Sequence, residues 1–431
     1  MRSSQLSRRS FLSTALVPAA APFVRVGRLL TDELRVAQVG VGGRGAGNLA
    51  GIYGEQVVAL CDVDRTRLDG ALATLEQQGQ DPTKVRTYSD FRRLLDDGEL
   101  DALLVSTPDH THAHPTLRAL REGLPVYTEK PLAHTVEEHQ AIRAAASRAK
   151  VPTQMGTQIH AGDNYRRVVE LLRSGAIGDV TEVHVFMGKA WADGRYGETK
   201  EAPSHLDWEL WLGPNPARPY CDGLHPAHWR RFWAFGTGTL GDMGCHHLDL
   251  VHWALDLGLP EAVSCEGPEL HADGAPAWCH ATWEHPARGA RKAVVVHWWD
   301  GGRRPALTLE DGTPIEWGDG CVFLGTKGVL LADYGQHRLL PTADFEGFQR
   351  PEPTLAPSIG HHAEWLEAIR TGGTTTCDFS YSGPLSEAVV LGTVAFRAGK
   401  RLTGCADGTL LERHPEVEPL VRKAYREGWE L

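Results

Sequence analysis

The chain lacks three features that would each point to a particular class of protein. It has no run of about 18 consecutive apolar residues, the length that a membrane-spanning helix needs. It has no excess of positive charge, since 55 acidic residues outnumber 44 Lys and Arg and give a net charge of -11. It has no C-x-x-C pair among its 8 widely spaced cysteines, which leaves at most one or two disulfides open and indicates no zinc site. Stable membrane insertion and nucleic-acid binding are therefore disfavoured.

What remains is the composition of a globular protein with more than one core. At 431 residues and 42% hydrophobic content, the chain is too long for a single ordinary domain. It has 13 Trp and 21 His, and tryptophan rings both fill cores and stack on sugars. We find no internal repeat.

The first 33 residues have the pattern of an export signal. A twin arginine, Arg8-Arg9, precedes the short apolar run from Leu12 to Val24, which ends in small residues near Ala19. We expect a twin-arginine signal and a periplasmic or otherwise exported protein; the alternative is a disordered basic tail.

A glycine-rich loop follows directly on the first apolar strand, residues 34–39. The loop is Gly40-x-Gly42-Gly43-Arg44-Gly45, and a helix and a second strand, Gln56–Cys61, come next and end at Asp62. Strand, glycine loop, helix, strand and acid together predict a dinucleotide site, in which the helix N-terminus holds the pyrophosphate. Asp62 would bind the ribose hydroxyls, which favours NAD over NADP, although Arg65 weakens that preference.

Strands and helices continue to alternate up to residue 156. This pattern predicts a doubly wound parallel sheet, a Rossmann domain over residues 34–156, with ligands at the carboxyl ends of its strands. The glycine loop, the segment Thr107–His112 and Glu129-Lys130-Pro131 all lie at such ends. His110, His112 and His114 alternate, but without nearby acidic ligands we predict no metal site.

From residue 157 onward, strand-like runs follow one another without helices between them. They predict an α+β domain, residues 157–431, on an open, mostly antiparallel sheet with Tyr165–Arg173 and Cys245–Ala254 as covering helices. We expect strands at Val180–Met187, Ala262–Glu266, His280–Glu284, Ala293–Trp299, Ala306–Glu310 and Gly328–Leu331.

A Trp- and His-rich stretch, Trp191–Trp233, is too irregular to be structural alone. We expect it to line a substrate pocket, with Trp229 for sugar rings and Arg230 for hydroxyl or carboxylate groups. Gln158 and His160, just after the last Rossmann strand, are further pocket candidates, and a helix-entry role is equally open for them.

The chain resembles the Gfo/Idh/MocA family, the group of glucose–fructose oxidoreductase and inositol dehydrogenase. The similarity rests on the glycine loop, on Thr107-Pro108-Asp109-His110-Thr111-His112, on Glu129-Lys130-Pro131-Leu132 and on the segment Gly241–Asp249. Segments His362–Gly372 and Tyr425–Trp429 also look like that family, the latter like its exported members. The resemblance covers nearly all of the chain after the leader and implies homo-oligomers, dimers or tetramers.

The resemblance also implies residue roles. Thr107, Pro108, His112 and Glu129 would contact the cofactor, and Lys130 would stand beside the nicotinamide. Asp242 and His246 would handle the proton of the substrate hydroxyl, and their spacing of one helical turn lets them face one another. His247 stands where the family usually has an apolar residue, so that either histidine can point toward the substrate. A lysine near a cationic ring can have a lowered pKa.

These expectations favour an NAD(P)-dependent oxidoreductase that acts by hydride transfer on a secondary hydroxyl of a sugar, polyol or glycoside. Export would deprive the protein of a free NAD pool, so a tightly held cofactor is expected. One alternative is a redox-neutral NAD-dependent glycoside hydrolase or lyase of the same fold. Another is a non-catalytic sugar- or NAD-binding protein, against which Lys130, Asp242 and His246 count.

Overall fold

The computed structural model describes residues 33–309 and 311–431. The twin-arginine segment predicted for the leader lies outside these residues. No helix in the described ranges is long and apolar enough to cross a membrane. No disulfide joins any of the 8 cysteines, all of which lie in the described part, and Cys61 is buried in its strand as predicted.

The first sheet is parallel and six-stranded, in the order β3-β2-β1-β4-β5-β6. Its strands are β1 (Arg35–Val39), β2 (Gln56–Cys61), β3 (Arg86–Tyr88), β4 (Ala102–Val105), β5 (Val126–Thr128) and β6 (Thr153–Met155). The α-helices between them are α1 (Arg44–Ala50), α2 (Arg65–Gln77), α3 (Phe91–Asp96), α4 (Ala113–Arg121) and α5 (Val136–Ala149). The strand order reverses between β1 and β4, where open α/β sheets bind ligands. The Rossmann architecture is confirmed.

The second domain is built on a mixed, mostly antiparallel sheet. Its strands are β7 (Val180–Phe186), β8 (Thr199–Lys200), β9 (Tyr220–Cys221), β10 (Ala262–Glu266), β11 (His280–His285), β12 (Val294–Trp299), β13 (Gly320–Gly325), β14 (Gly328–Ala332), β15 (His337–Leu340) and β16 (Leu402–Thr403). Eight of them form one sheet in the order β15-β14-β13-β7-β12-β11-β10-β16, and β8 pairs with β9 separately. Strands β7 and β12 run parallel, while the other neighbours in the large sheet are antiparallel.

The helices in this part of the chain are α6 (Asp163–Arg173), α7 (Trp208–Leu212), α8 (Gly238–Leu255), α9 (His361–Thr371), α10 (Phe379–Ala398), α11 (Leu410–Arg413) and α12 (Glu418–Val421). Helices α8 and α10 pack on one face of the large sheet, α10 also contacts α5 and β6, and α9 packs into the Rossmann core. Short 3-10 turns occupy Pro82–Lys84, Asp109–Thr111, Gln158–Ala161, His228–Arg231, Thr342–Phe345 and Pro415–Val417. The covering helix predicted at Cys245–Ala254 is longer than expected, since α8 begins seven residues earlier, at Gly238.

One predicted strand is wrong. The segment from Ala306 has only an isolated bridge between Thr308 and Pro314, because Pro305 and Pro314 supply no backbone N–H groups for a ladder. Strands β13 and β15 and the long buried helix α10 were not predicted.

Candidate functional site

A large cavity lies between the carboxyl ends of the Rossmann strands and the second domain. Its volume is about 860 Å³, within the range of small-molecule and cofactor sites. The wall contains most of the residues that the sequence singled out: Gly40, Gly42, Gly43, Arg44, Asp62, Thr107, Pro108, His112, Glu129, Lys130, Gln158, Trp229, Arg230, Asp242 and His246. The predicted cofactor and proton-transfer residues therefore share one space.

The glycine loop is held rigidly from behind and left bare in front. A Cβ atom on Gly40 would lie 2.5 Å from the Ser106 carbonyl oxygen, and one on Gly45 would lie 2.3 Å from that of Gly40. The buried Gln38 amide donates to the carbonyls of both glycines, at 2.8 and 2.7 Å. A Cβ on Gly43, at φ +54°, would meet nothing within 4 Å. Gly45 thus supports the loop from behind, outside the cavity wall.

The start of helix α1 fits a phosphate group. Its N-cap residue, Gly43, has no side chain to accept from the first helical N–H groups. The N–H groups of Gly45 and Ala46 donate to the carbonyls of Gly42 and Gly43 at 2.9 and 3.2 Å, so the positive end of the helix and the open surface of Gly43 are what the loop offers to an anion. These residues fit the pyrophosphate of a dinucleotide.

Asp62 stands at the end of β2, where the ribose was expected, and also supports the loop. Its carboxylate accepts from the N–H groups of Val41 and Asp64 at 2.9 and 3.0 Å, and burial raises its pKa. Arg67, which packs against Gly42, reaches the cavity wall. Arg65, which the sequence suggested as the neighbouring cation, is exposed.

Glu129 and Gln158 form one buried polar unit at the centre of the wall. The Glu129 carboxylate accepts from the amides of Asn48 and Gln158 at 2.8 and 2.7 Å. Gln158 also donates to the Tyr127 hydroxyl at 2.8 Å. This network fixes the residue that immediately precedes Lys130.

The three histidines of the Thr107–His114 segment each contact carbonyls. The His110 ring lies 2.8 Å from the Trp211 carbonyl, and the His114 ring 2.6 Å from that of Trp429. The His112 ring bridges the Thr107 and Pro131 carbonyls at 2.7 Å each, and burial lowers its pKa. His112 therefore ties the loop after β4 to the loop that carries Lys130.

Asp242 lies at the centre of a cage of cations. Its Oδ1 accepts from Lys130 Nζ at 2.8 Å and from Arg230 Nε at 3.0 Å. Its Oδ2 accepts from Lys189 Nζ at 2.7 Å and from the Trp191 indole N–H at 2.5 Å. Both carboxylate oxygens are thus engaged by two donors each.

The cage keeps both Asp242 and Lys130 charged. Burial opposes the ionised form of Asp242, but Lys130, Arg230 and Lys189 outweigh it and hold the pKa of the carboxyl well below its usual range. Burial likewise opposes the charged form of Lys130, yet Asp242 raises the pKa of this amine above its ordinary value. The protein alone therefore does not lower the pKa of this lysine.

His246 is half-buried in the wall and chemically separate from Asp242. No hydrogen bond joins its ring to another residue of the described ranges, so the expected Asp242–His246 contact is not formed. Burial and the nearby Lys130 charge hold the pKa of His246 well below its usual range. At neutral pH its imidazole is a free proton acceptor that faces the cavity.

Two predicted substrate residues lie away from the cavity. His160 is fully buried, pairs with the Asp249 carboxylate at 2.9 Å and stacks on Trp253 with 3.9 Å between ring centroids. His247 is also fully buried and stacks on Tyr334 at 4.8 Å. Both occupy packed interiors, because on α8 and the turn before α6 their side chains point toward the second domain. Of the adjacent pair on α8, His246 is the one that faces the cavity.

Lys189 and Asp109 were not identified as site residues from the sequence, whereas Trp191 begins the stretch that was predicted to line the pocket. Lys189 and Trp191 lie in the loop after β7, and that loop reaches the first turns of α8 only through the tertiary fold. Asp109 is buried in the wall, accepts from the Thr237 hydroxyl at 3.1 Å, and has its pKa raised by burial to about 7. For Asp109, the feature of the sequence that could have indicated a site residue is its carboxyl group within the Thr107–His112 motif.

Two segments of the second domain cover the end of the cavity near β2. Backbone hydrogen bonds join the stretch before α7 to the residues that follow β2. The Asp207 N–H donates to the Val63 carbonyl at 2.8 Å, and the Arg65 N–H donates to the His205 carbonyl at 2.9 Å. The His225 ring pairs with Asp64 at 2.8 Å. From the other side, Trp429 in the C-terminal tail lines the cavity.

The tail is itself anchored. Arg426 donates to the carbonyls of Glu209 and Gly213, each at 2.8 Å, and the Arg92 guanidinium lies 4.6 Å from the Trp429 ring centroid. We call the two covering segments, residues 205–229 and 422–429, the roof.

Comparison with known proteins finds one family in both halves of the chain. Residues 34–157 match the NAD-binding Rossmann fold of the Gfo/Idh/MocA oxidoreductase family, and residues 165–294 match its C-terminal alpha/beta domain. A glycosyl hydrolase family 109 protein of Shewanella pealeana is 30% identical over 184 residues, 41% of this chain and 40% of that protein. An inositol 2-dehydrogenase 2 of Saccharopolyspora erythraea is 33% identical over 156 residues, 35% of this chain and 44% of that protein. The chain thus matches less than half the length of these relatives.

Solved structures share the fold over most of the chain. The WlbA dehydrogenase from Bordetella pertussis, in complex with NADH and UDP-GlcNAcA, aligns with a TM-score of 0.60 at 18% identity and covers 86% of this chain and 98% of its own. A levoglucosan dehydrogenase, in complex with NADH and levoglucosan, aligns with a TM-score of 0.58 at 16% identity over 86% and 99%.

Proposed function

We propose, for a chain that belongs to the Gfo/Idh/MocA oxidoreductase family, NAD-dependent hydride transfer at a secondary hydroxyl of a sugar, polyol or glycoside. The observation that carries the proposal is the shared cavity: the glycine loop, Lys130 and His246 line one space. A non-catalytic binding protein would not need a neutral histidine and a charged lysine side by side in that wall.

The glycine loop, Asp62, Thr107, Pro108 and Glu129 would hold the cofactor. When bound, the nicotinamide exchanges a hydride with the carbon that carries the hydroxyl. NAD is preferred to NADP in this proposal because the Asp62 carboxylate would repel a 2′-phosphate, and Arg67 is the residue that opposes this preference.

The proton of the hydroxyl would pass to His246. Its imidazole is neutral at physiological pH and has no competing hydrogen bond within the described residues, so its lone pair is available. Lys130 uses two N–H groups on Asp242, one to the backbone carbonyl at 2.6 Å and one to the carboxylate at 2.8 Å. Its third N–H is available to stabilise negative charge on the substrate oxygen.

The substrate would be carbohydrate-like. Trp229 is buried and the Arg230 guanidinium lies over its ring, 4.2 Å from the centroid, so the Arg230 donors rather than the ring face would meet the hydroxyl or carboxylate groups of the ligand. The fold relatives that were solved with UDP-GlcNAcA and with levoglucosan support this class of ligand.

The cofactor would be retained between turnovers, and the protein would be exported by its twin-arginine leader. The roof supports retention, because release at the β2 end requires breaking the hydrogen bonds of residues 205–207 and moving Trp429. Retention is what an exported enzyme needs, since it meets no free NAD pool. The large sheet of the second domain leaves one face for a second copy of this chain, so a homo-oligomer is also proposed.

The test begins with denaturation of the purified, mature protein and an assay of the released nicotinamide. About one NAD per chain is expected. Each chain should form one keto product from a sugar, polyol or glycoside as its bound NAD is reduced, and further turnover should require a second, carbonyl-containing compound that accepts the hydride. A matched His246→Ala protein should retain NAD and lose turnover. Protein that purifies without dinucleotide and does not bind added NAD would refute the proposal.

A second candidate is redox-neutral glycoside cleavage, in which oxidation, elimination, water addition and reduction follow one another. Two observations favour it: relatives named glycosyl hydrolase family 109, and Asp109, whose raised pKa of about 7 lets it exchange protons near neutrality. Reducing ends without net change in the redox state of the cofactor would support this candidate. Keto products would support the oxidoreductase.

A further inference from the structure

Two histidines and a glutamate meet on the face of the large sheet that is remote from the cavity. Glu182 and His184 are alternate residues of β7, and His297 on the parallel neighbour β12 lies directly opposite His184. The two imidazole rings are nearly parallel, with 4.7 Å between their centroids. Strand pairing therefore holds all three side chains on one face.

The ligand atoms of these side chains already converge. The Glu182 Oε1 atom lies 2.8 Å from His184 Nε2 and 3.6 Å from His297 Nε2. Each of the three residues offers one ligand atom, and these three atoms all lie within 4.8 Å of one another. Ligands at 2.0–2.2 Å around a tetrahedral zinc ion are roughly 3.3–3.5 Å apart, so small side-chain movements would bring these atoms to zinc distances.

The surroundings of His297 favour metal ligation. Its Nδ1 lies 3.1 Å from the Thr282 hydroxyl and 3.2 Å from His280 Nε2, both on β11. A hydrogen bond from Nδ1 leaves Nε2 as the ligating atom, as in many histidine–metal sites.

We propose that Glu182, His184 and His297 bind a divalent transition-metal ion of the Zn²⁺ class, which would link β7 to β12. Two imidazoles and one carboxylate suit Zn²⁺ better than Mg²⁺ or Ca²⁺, which prefer sets of oxygen ligands. In a single chain the Glu182 side chain is 43% exposed, against 10% for His184, so the ion can enter before the second copy proposed for this open face covers it, and a water molecule can complete the tetrahedron. The site is independent of the proposed hydride transfer.

One contact opposes the ion and gives the proposal a specific signature. The Trp299 indole N–H lies 3.3 Å from His184 Nδ1, which favours the tautomer that carries its proton on Nε2. Metal ligation through Nε2 requires the opposite tautomer and the loss of this contact. A Trp299→Phe variant should therefore bind the ion more tightly than the wild type.

The experiment titrates chelator-stripped, full-length protein with Zn²⁺ by calorimetry, and with Co²⁺ by visible absorption. One ion per chain with micromolar or tighter affinity is expected, with a Co²⁺ spectrum typical of four- or five-coordinate nitrogen and oxygen ligands. Glu182→Gln and His297→Ala should each weaken binding by about 10-fold or more. The Glu182→Gln change is isosteric and partly exposed, so it tests the site even if His297→Ala fails to fold.

Glu416→Gln is the matched control, because Glu416 lies near a single histidine, His414, at 3.9 Å. This variant should bind Zn²⁺ like the wild type. The proposal is overturned if the wild type takes up no Zn²⁺ at micromolar concentration. It is also overturned if Glu182→Gln binds one equivalent with unchanged affinity, since uptake would then belong to other histidines.

Discussion

Replacement of Asp242 by Asn tests the electrostatic logic of the candidate site most directly. The isosteric amide removes one buried negative charge and leaves Lys130, Arg230 and Lys189 facing one another without a counter-ion. Loss of one partner from a buried ion pair costs about 3–5 kcal/mol. The Lys189 side chain is 40% exposed, so water weakens the repulsion that this lysine exerts on the other two cations. We therefore expect a destabilisation near the lower end, about 3 kcal/mol.

The same substitution should lower the pKa of Lys130. Asp242 is the main group that raises this pKa, whereas burial and Arg230 lower it, so their effects remain in the variant. Trace acetylation of Lys130, quantified by mass spectrometry across pH, should show its half-maximal rate at a correspondingly lower pH.

Thermal unfolding provides the second measurement. The depressed pKa of Asp242 contributes stability that is present above its ordinary value of 3.8 and is lost as pH falls below that value. The raised pKa of Lys130 contributes stability that is present below 10.5 and is lost as pH rises through the folded-state value. The gap in melting temperature between wild type and Asp242→Asn should therefore be widest between these limits and should narrow in acid.

The control is Asp69→Asn, on the exposed side of α2, which should change neither the pKa of Lys130 nor the melting temperature. An unchanged titration of Lys130 in Asp242→Asn would refute the reasoning. So would a variant as stable as the wild type at pH 7.

Further predictions concern the cofactor end and the second carboxyl of the cavity. Gly40→Ala should abolish NAD binding because its Cβ would strike the loop after β4, whereas Gly43→Ala should keep a large part of it; equal NAD content in the two variants would contradict this. Trp429→Ala should speed release of bound NAD, measured by exchange with a fluorescent analogue, by about 10-fold or more, corresponding to roughly 1.4 kcal/mol; an unchanged rate would contradict a retaining role. Asp109→Asn should flatten the loss of stability between pH 4 and pH 7: the raised pKa of about 7 means that the folded state holds a proton that the unfolded state releases, so stability falls as pH rises through this window. His246→Asn should abolish turnover at every pH while the bound NAD remains at wild-type levels.

The Rossmann half could be predicted almost element by element, because its determinants are local. Strand β2 has the predicted bounds, and the glycine loop lies between β1 and α1. In such a unit each strand, turn and helix is determined by adjacent residues. The rule that crossovers are right-handed then restricts the order in which the strands can lie in the sheet. The cofactor wall follows from that order alone.

The division of the chain into consecutive halves misses one interaction. Helix α9, from the second half of the chain, packs Trp365, Leu366 and Ile369 into the same core as Leu34 and Leu104 of the Rossmann sheet. Nothing in the local pattern of α9 states which sheet its apolar face covers. The information lies in the shape of the partner surface, which only the folded chain provides.

The four-residue spacing correctly places Asp242 and His246 one turn apart on α8, but it predicts the wrong contact partner for Asp242. Two residues four apart share a helix face, but a carboxylate turns toward the strongest nearby donors, and three cations from separate segments surround it. Lys189, Arg230 and Lys130 come from loops that approach α8 only in the tertiary fold. Asp242 is therefore a positioning residue that keeps Lys130 charged.

The position of Asp242 among three cations gives Lys130 and His246 different protonation states. A carboxylate that bridges three cations has no free lone pair with which to orient His246, and its own proton affinity is very low. Lys130 then remains an ammonium through the physiological range, and in the proposed reaction it would serve as a donor while His246 alone would accept the hydroxyl proton. It follows that removal of Asp242 should impair the reaction through Lys130, with a pH profile displaced in the direction of the lysine pKa, whereas removal of His246 should take away the acceptor itself.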